Sequence, residues 1–157
     1  MKLILTSLIS LTIGFNCLAQ SYNTKSTHAL KNETATTIQS GYDAYKKIAL
    51  NIWDYAELGY KEKKSSALLQ QTLKDNGFTV EAGVAGMPTA FVATYGSGSP
   101  VIGILAEYDA LPGLSQDNSS TKTTMANKPN GHGCGHHLFG TGSVAAGIAL
   151  KKLLESG

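Results

Sequence analysis

Apolar side chains recur at helical spacing in the first part of the chain. From Ile38 onward they occupy every third or fourth position, with Trp53 beside them, which predicts an amphipathic helix that ends near Gly59. These positions are Ile38, Tyr42, Tyr45, Ile48, Ile52 and Ala56. The preceding residues 24–37 are rich in Thr, Lys, Asn and Ser, and they predict a mobile segment that leads into the helix.

Two more helices are predicted further along the chain. One begins at about Glu62 and stops at Gly77, because glycine readily adopts the left-handed conformation that ends a helix. Its expected buried residues are Ala67, Leu68 and Leu73. The last helix begins around 141–143 and runs to about Glu155, and its expected buried residues are Val144, Ile148 and Leu153.

Between these helices the pattern changes to that of strands. Residues 78–84 predict a short extended segment, and the side chains of residues 90–95 alternate in the manner of a strand. A turn-rich link over 96–100 leads to 101–106, which is apolar at nearly every position and predicts a central strand covered on both faces. Helices combined with such a strand indicate an α/β fold in one globular unit.

Two acids directly follow the predicted central strand. In open α/β sheets ligands bind beyond the carboxyl ends of the strands, so Glu107 and Asp109 are candidate site residues. A solvated strand end is the alternative, and it weighs more for Glu107 than for Asp109. Residues 113–130 are almost free of apolar side chains and predict a long loop, either functional or mobile.

A loop rich in glycine and histidine precedes the last helix. The run Gly131-His132-Gly133-Cys134-Gly135-His136-His137 places a thiol and an imidazole two residues apart, where both can bind one cation. The glycines give the backbone the freedom that a tight ligand loop needs. The alternative is a flexible glycine loop with incidental polar residues.

Residues 1–19 indicate a secretory signal peptide. The apolar run after Lys2 is too short for a membrane span, and Ala19 suits signal-peptidase cleavage. Lipid attachment at Cys17 is the second interpretation. Cleavage would leave Cys134 as the single cysteine, which excludes an intramolecular disulfide and favours a metal-bound thiolate. The expected location is periplasmic or extracellular.

The charged residues argue against some partners. The formal net charge is +2 at pH 7, and all thirteen basic residues are lysines. Without arginine the chain lacks the residue that usually binds phosphate in a bidentate manner. We therefore expect no nucleic-acid partner and no membrane contact after signal cleavage.

Three segments, in order, resemble one enzyme family. They are residues 83–93, residues 104–116 with the run Glu107-Tyr108-Asp109-Ala110-Leu111-Pro112, and residues 131–142. Together they resemble the metal-dependent amidohydrolases related to hippurate hydrolase, aminoacylase and carboxypeptidase. The resemblance extends over roughly 52–154. It implies a three-layer, zinc-peptidase-like α/β catalytic domain with a mixed sheet flanked by helices.

The resemblance also implies a reaction. The family hydrolyses an amide bond between an acyl or aminobenzoyl group and an amino acid, or in a dipeptide-like substrate. It uses a water activated by two divalent ions, here expected to be zinc or manganese. The family's Cys-Gly-His motif falls on Cys134 and His136, which are thereby implied as metal ligands. Its Asp-Ala-Leu-Pro motif begins at Asp109, the implied catalytic residue, which orients a ligand or the metal-bound water.

Two positions depart from the family pattern or extend it. Glu107 occupies a position where more distant relatives carry a histidine ligand, and His137 stands where relatives carry Asp or Asn. The wider imidazole at 137 is expected to alter the surroundings of the ligands.

The family's general base, a Glu-Glu pair, its remaining ligands and its lid domain come after the motifs present here. The resemblance therefore implies the N-terminal part of a secreted enzyme that forms a homodimer as the full chain. Its parts would be a signal peptide at 1–19, a mobile segment at 20–37 and part of the catalytic domain at 38–157, inactive by itself. The alternative is a naturally short, non-catalytic chain that binds a metal or a partner through donors such as Cys134 and His136.

Export should remove residues 1–19. Mass spectrometry of the exported protein should find a mature N-terminus at Gln20, because the small side chain of Ala19 fits the cleavage site. A soluble product that keeps Met1, or a lipid on Cys17, would contradict this prediction.

Overall fold

The computed structural model describes residues 24–156, so the predicted signal peptide lies outside the described residues. In this part of the chain four α-helices and a two-stranded sheet follow one another. The helices are α1 (Thr24–Ser40), α2 (Tyr42–Tyr55), α3 (Lys63–Asp75) and α4 (His136–Ser156), and the strands are β1 (Thr79–Ala82) and β2 (Phe91–Thr94). None of these helices has both the length and the apolar character that a bilayer span requires.

The predicted first helix is divided at Gly41 into α1 and α2. A Cβ atom at Gly41 would lie 2.5 Å from Cε2 of Tyr45, so a larger residue there would displace that ring. α1 begins at Thr24, in a polar segment for which the sequence predicts no helix, and it packs against α4. That tertiary contact offsets the modest helix propensity of its threonines. α2 ends at Tyr55, because Ala56 adopts the left-handed conformation with φ 44 and ψ 45.

α2, α3 and α4 enclose the apolar core. Its buried side chains are Ile48 and Ile52 from α2, Leu69 and Leu73 from α3, and Val144 and Ile148 from α4. The predicted burial of Leu73, Val144 and Ile148 is confirmed, whereas that of Ala67 is wrong. The face of α3 that meets α2 and α4 passes through Leu69 and Leu73, one turn apart, so Ala67 points to solvent.

The start of α3 is capped by a residue from outside the helix. The carboxylate of Glu57 accepts hydrogen bonds from the backbone N–H of Lys64 at 3.0 Å, and from the N–H and hydroxyl of Ser65 at 2.9 Å each. A carboxylate in this position satisfies free N–H groups and complements the helix dipole. The carbonyl oxygen of Glu57 also accepts a 2.7 Å hydrogen bond from the N–H of Ala110. The cap therefore connects α3 to the segment that carries the two candidate acids.

The sheet consists of β1 and β2 in antiparallel pairing. Thr79 lies opposite Thr94, and Ala82 lies opposite Phe91. The predicted extended segment at 90–95 is confirmed, and that at 78–84 is confirmed up to Ala82, after which a short turn begins. Phe91 packs against the helical core from its strand. Helices and a sheet in one unit agree with the predicted α/β class.

The prediction of a covered central strand at 101–106 is wrong for the described structure. This segment forms no strand, and the side chains of Val101 and Leu105 are 88% and 74% exposed. β1 and β2 pair with each other, and no described strand lies beside 101–106. A continuous apolar strand needs neighbouring strands and a layer on each face, so the mixed sheet flanked by helices is not seen in residues 24–156.

Three ring side chains connect α2 to the start of α4. Nε2 of His132 donates a 2.9 Å hydrogen bond to the carbonyl oxygen of Ile52. The Trp53 ring stacks on His132 and meets His137 edge-on, with centroids 6.2 Å and 4.9 Å apart. Burial lowers the pKa of both imidazoles, and the pKa of His137 falls to about 4, with a smaller contribution from His132. Both rings are therefore neutral at pH 7.

Truncation of Leu69 should destabilise the fold. Leu69 has no exposed surface, so Leu69→Ala should lower the free energy of unfolding by about 3 kcal/mol through lost burial and a residual cavity. Leu50, 48% exposed on α2, provides the matched control, and Leu50→Ala should stay within about 0.5 kcal/mol. Urea denaturation followed by circular dichroism measures both, and equal losses would contradict the assigned core.

Stability should decrease as the pH falls from 6.5 to 4, in part because of His137. In this range the unfolded chain binds a proton at His137, whereas the folded chain holds it neutral. The free energy of unfolding contributed by this residue is therefore complete above pH 6.5 and is lost toward pH 4. In His137→Gln the decrease should be smaller, since glutamine does not titrate.

Thermal denaturation in chelator-containing buffer across this pH range measures the effect. The matched control is His28→Gln, at an exposed position of α1, which should retain the wild-type decrease. An equally steep decrease in His137→Gln would show that burial of this ring does not contribute.

Candidate metal centre

Glu107, Asp109 and His136 bring their side chains together at the first turn of α4. One donor atom from each lies within 4.8 Å of the other two. Nδ1 of His136 lies 2.7 Å from Oδ1 of Asp109, and Nε2 lies 3.0 Å from Oε2 of Glu107. One imidazole ring thus lies between two carboxylates. We call these three residues the acid–histidine group.

When the His136 ring is neutral, one of its nitrogens faces a carboxylate with no proton between them. A neutral imidazole carries a single N–H, so in that state His136 donates to only one of the two carboxylates. With the proton on Nδ1, His136 donates to Asp109, and the lone pair of Nε2 faces the carboxylate of Glu107. Two atoms 3.0 Å apart can bind one cation at about 2.1 Å each. A hydrogen bond from the second ring nitrogen to a carboxylate is the usual support of a metal-binding histidine, so this donor set fits a divalent metal.

The backbone at Gly135 places His136 in the first turn of α4. Gly135 has a φ of +80, and its carbonyl oxygen accepts hydrogen bonds from the N–H groups of Leu138 at 2.9 Å and Phe139 at 3.1 Å. The helix therefore begins at His136 rather than at the predicted 141–143. The sequence predicts a loop at His136. Because the helix starts there instead, the helical backbone fixes the direction of the His136 side chain.

The segment that carries the two acids is held from both sides. Leu111 and Gly131 exchange two backbone hydrogen bonds, of 2.9 Å and 3.1 Å. At Gly131 a Cβ atom would collide with the carbonyl oxygen of Leu114, so no side chain fits there. On the other side α4 comes close at Gly140, where a Cβ atom would lie 2.8 Å from the carbonyl oxygen of Glu107. These contacts fix the acids relative to His136.

The structure brings two of the three predicted site residues together and leaves the third apart. Asp109 and His136 lie in direct contact. Cys134 is a free, exposed thiol, and the acid–histidine group does not include it. Its role as a ligand stays a prediction.

Glu107 is the acid that the sequence favours less than Asp109. It contacts His136 as Asp109 does. The spacing of the two acids was an available signal, because residues i and i+2 of an extended segment lie on the same face.

The other two histidines of the loop lie apart from the acid–histidine group. His132 is buried, and His137 is half-buried. Their rings lie 5.0 Å apart, and Nδ1 of each is buried without a hydrogen-bond partner. These rings support the backbone around His136 and do not take part in the acid–histidine group.

The chain is similar to several known hydrolases. It is 46% identical over 119 residues to a subunit of the p-aminobenzoyl-glutamate hydrolase of Escherichia coli K12, with 75% of this chain and 25% of the relative covered. It is 37% identical over 92 residues to thermostable carboxypeptidase 1 of Saccharolobus solfataricus, with 57% and 23% covered. It is 29% identical over 137 residues to mouse Xaa-Arg dipeptidase, with 81% and 28% covered. No family model matches the chain.

These matches confirm the resemblance inferred from the three motifs, which point in particular to aminobenzoyl-glutamate utilization protein B. The chain spans about a quarter of the length of the curated relatives it matches. The matches support a metal-dependent amidohydrolase and peptidase family, with this chain corresponding to the N-terminal portion of those enzymes.

Proposed function

We propose that the chain is the N-terminal part of a secreted, metal-dependent hydrolase that cleaves the amide bond between an acyl or aminobenzoyl group and an amino acid. The observation that carries this proposal is the position of the His136 ring, with Nε2 facing Glu107 and Nδ1 bonded to Asp109. The relatives' names support it, since they describe a hydrolase of p-aminobenzoyl-glutamate, a carboxypeptidase and a dipeptidase.

The described residues offer the first ligands of a metal site. Nε2 of His136 and the carboxylate of Glu107 would hold the cation, and the thiolate of Cys134 is the further ligand that the family motif implies. We expect zinc or manganese, with two ions in the complete site. A divalent cation bound there polarises the scissile carbonyl and lowers the pKa of a water molecule.

Asp109 acts on the reaction through His136. Its hydrogen bond to Nδ1 keeps the ring in one tautomer and one orientation. Hydrolysis adds the oxygen of water to the carbonyl carbon, breaks the C–N bond and leaves the proton on the released amine. The ligands must stay in place throughout, and the pairing of Leu111 with Gly131 keeps the acid-bearing segment from moving.

The full chain would form a three-layer α/β domain. The exposure of Val101 and Leu105 supports this, since such apolar surface is normally covered by further structure. Export to the periplasm or the exterior and a homodimer of the full chain complete the proposal.

Loss of a ligand should remove both metal and activity. In the full natural chain that contains these residues, His136→Ala and Cys134→Ala should each lose bound metal and the hydrolysis of N-acyl amino acids. Asp109→Asn should weaken metal affinity by about 10- to 100-fold, because asparagine no longer holds the ring as a carboxylate does. Elemental analysis gives the metal content per mole, and amine release gives the rate.

Two substitutions serve as controls. His132→Ala should have a milder effect, since His132 bonds to the carbonyl of Ile52 and lies outside the acid–histidine group. His28→Ala, on α1, should leave metal content and rate unchanged. Full metal occupancy in Cys134→Ala would contradict the role of the thiolate. A metal-loaded full chain that hydrolyses no N-acyl amino acid would favour the alternative of a non-catalytic, metal-binding protein.

A further inference from the structure

A cavity of about 300 Å³ opens beside the two acids of the candidate metal centre. This volume lies at the lower end of the range for small-molecule sites. Glu107 and Asp109 line it together with Ala106 and Tyr108 of the same segment, and the rest of its wall comes from the loop after α2 and the loop between β1 and β2. A ligand in the cavity would therefore lie next to His136.

The first wall belongs to the loop that follows α2. Leu58 forms a parallel bridge with Ala110, and a Cβ atom at Gly59 would lie 3.9 Å from Oδ2 of Asp109. The next residue, Tyr60, lines the cavity and has a φ of 64. A bulky residue rarely adopts that conformation, and here a turn with a 2.9 Å hydrogen bond from the N–H of Lys61 to the carbonyl of Leu58 holds it. The Tyr60 side chain is 72% exposed, so its ring stands at the open edge of the cavity.

The second wall is held by buried hydrogen bonds. The carbonyl oxygen of Thr89 accepts bonds from the hydroxyls of Ser66 at 2.7 Å and Tyr108 at 2.5 Å. The hydroxyl of Thr89 donates a 2.7 Å bond to Oε2 of Glu62. Thr89 and Glu62 are both buried, so the loop that presents the neighbouring Met87 to the cavity is preformed.

The charge of the lining selects between the two halves of an amide substrate. Glu62, Glu107 and Asp109 line the cavity, and none of its lining residues is a lysine or a histidine. No lining side chain carries a positive charge that could pair with a free carboxylate on the amino-acid half. The methionine and tyrosine side chains instead offer contact to an uncharged, apolar or aromatic group.

We propose that this cavity binds the uncharged acyl half of the substrate, with Tyr60 and Met87 as the residues that set the preference among acyl groups. The assignment rests on the proposed function, because it requires an amide carbonyl at the acid–histidine group. The amino-acid half, with its carboxylate, then lies on the opposite side of that group.

Three glycine derivatives test the assignment in the metal-loaded full natural chain: N-acetylglycine, N-benzoylglycine and N-succinylglycine. The wild type should prefer the neutral acyl groups to the succinyl group. Tyr60→Ala should raise KM for N-benzoylglycine about tenfold, as expected for a lost apolar contact, and change that for N-acetylglycine little. Met87→Lys should shift the ratio of kcat/KM toward N-succinylglycine over N-benzoylglycine by about tenfold, because it adds a positive charge to the cavity.

Tyr42→Ala is the matched control, since Tyr42 is an exposed tyrosine at the start of α2 and does not line the cavity. It should leave all three KM values unchanged. Unchanged preferences in both folded cavity variants, with normal hydrolysis by the wild type, would overturn the acyl assignment and leave the proposed function standing. If the wild type hydrolyses none of the three compounds, the proposed function and this assignment both fail.

Discussion

Ile52 takes part in both the core and the candidate site. Its side chain has no exposed surface between α2, α3 and α4, and its carbonyl oxygen accepts hydrogen bonds from the ring of His132 and from the N–H of Ala56. The first bond anchors the glycine and histidine loop, and the second ends α2. The direction of His136 therefore depends on the same residue that packs the helices, so a change in helix packing would be felt at the site.

The helical core was predictable in part from periodicity: Ile48, Ile52 and Ala56 of the first predicted helix are buried, whereas Ile38 and Tyr42 are exposed. Leu73, Val144 and Ile148 lie where their spacing indicates. The prediction was wrong at Ala67, since α3 presents a face rotated by a fraction of a turn, which the packing partners decide. The start of α4 was also misplaced, because a run of glycines and histidines resembles a loop until the positive φ of Gly135 is known.

The site was predictable in its residues more than in its geometry. The motif order identified Asp109 and His136, which do meet. The contact of Glu107 with the other ring nitrogen depends on how α4 approaches at Gly140, a long-range packing property. The sequence also predicts a covered strand at 101–106 from its apolar content. Such a strand requires neighbouring strands, and residues 24–156 provide none beside it.

The lack of space at Gly131 has a consequence for how relatives are compared. Any side chain at this position would collide with the carbonyl oxygen of Leu114, so we expect a fixed glycine there across an alignment. At Gly133 the nearest obstacle is the flexible end of the Leu114 side chain, and we expect more variation. Because Gly131 lies close to Cys134, its invariance would suggest selection for metal binding. The cause is instead the close approach of its main chain to that of Leu114.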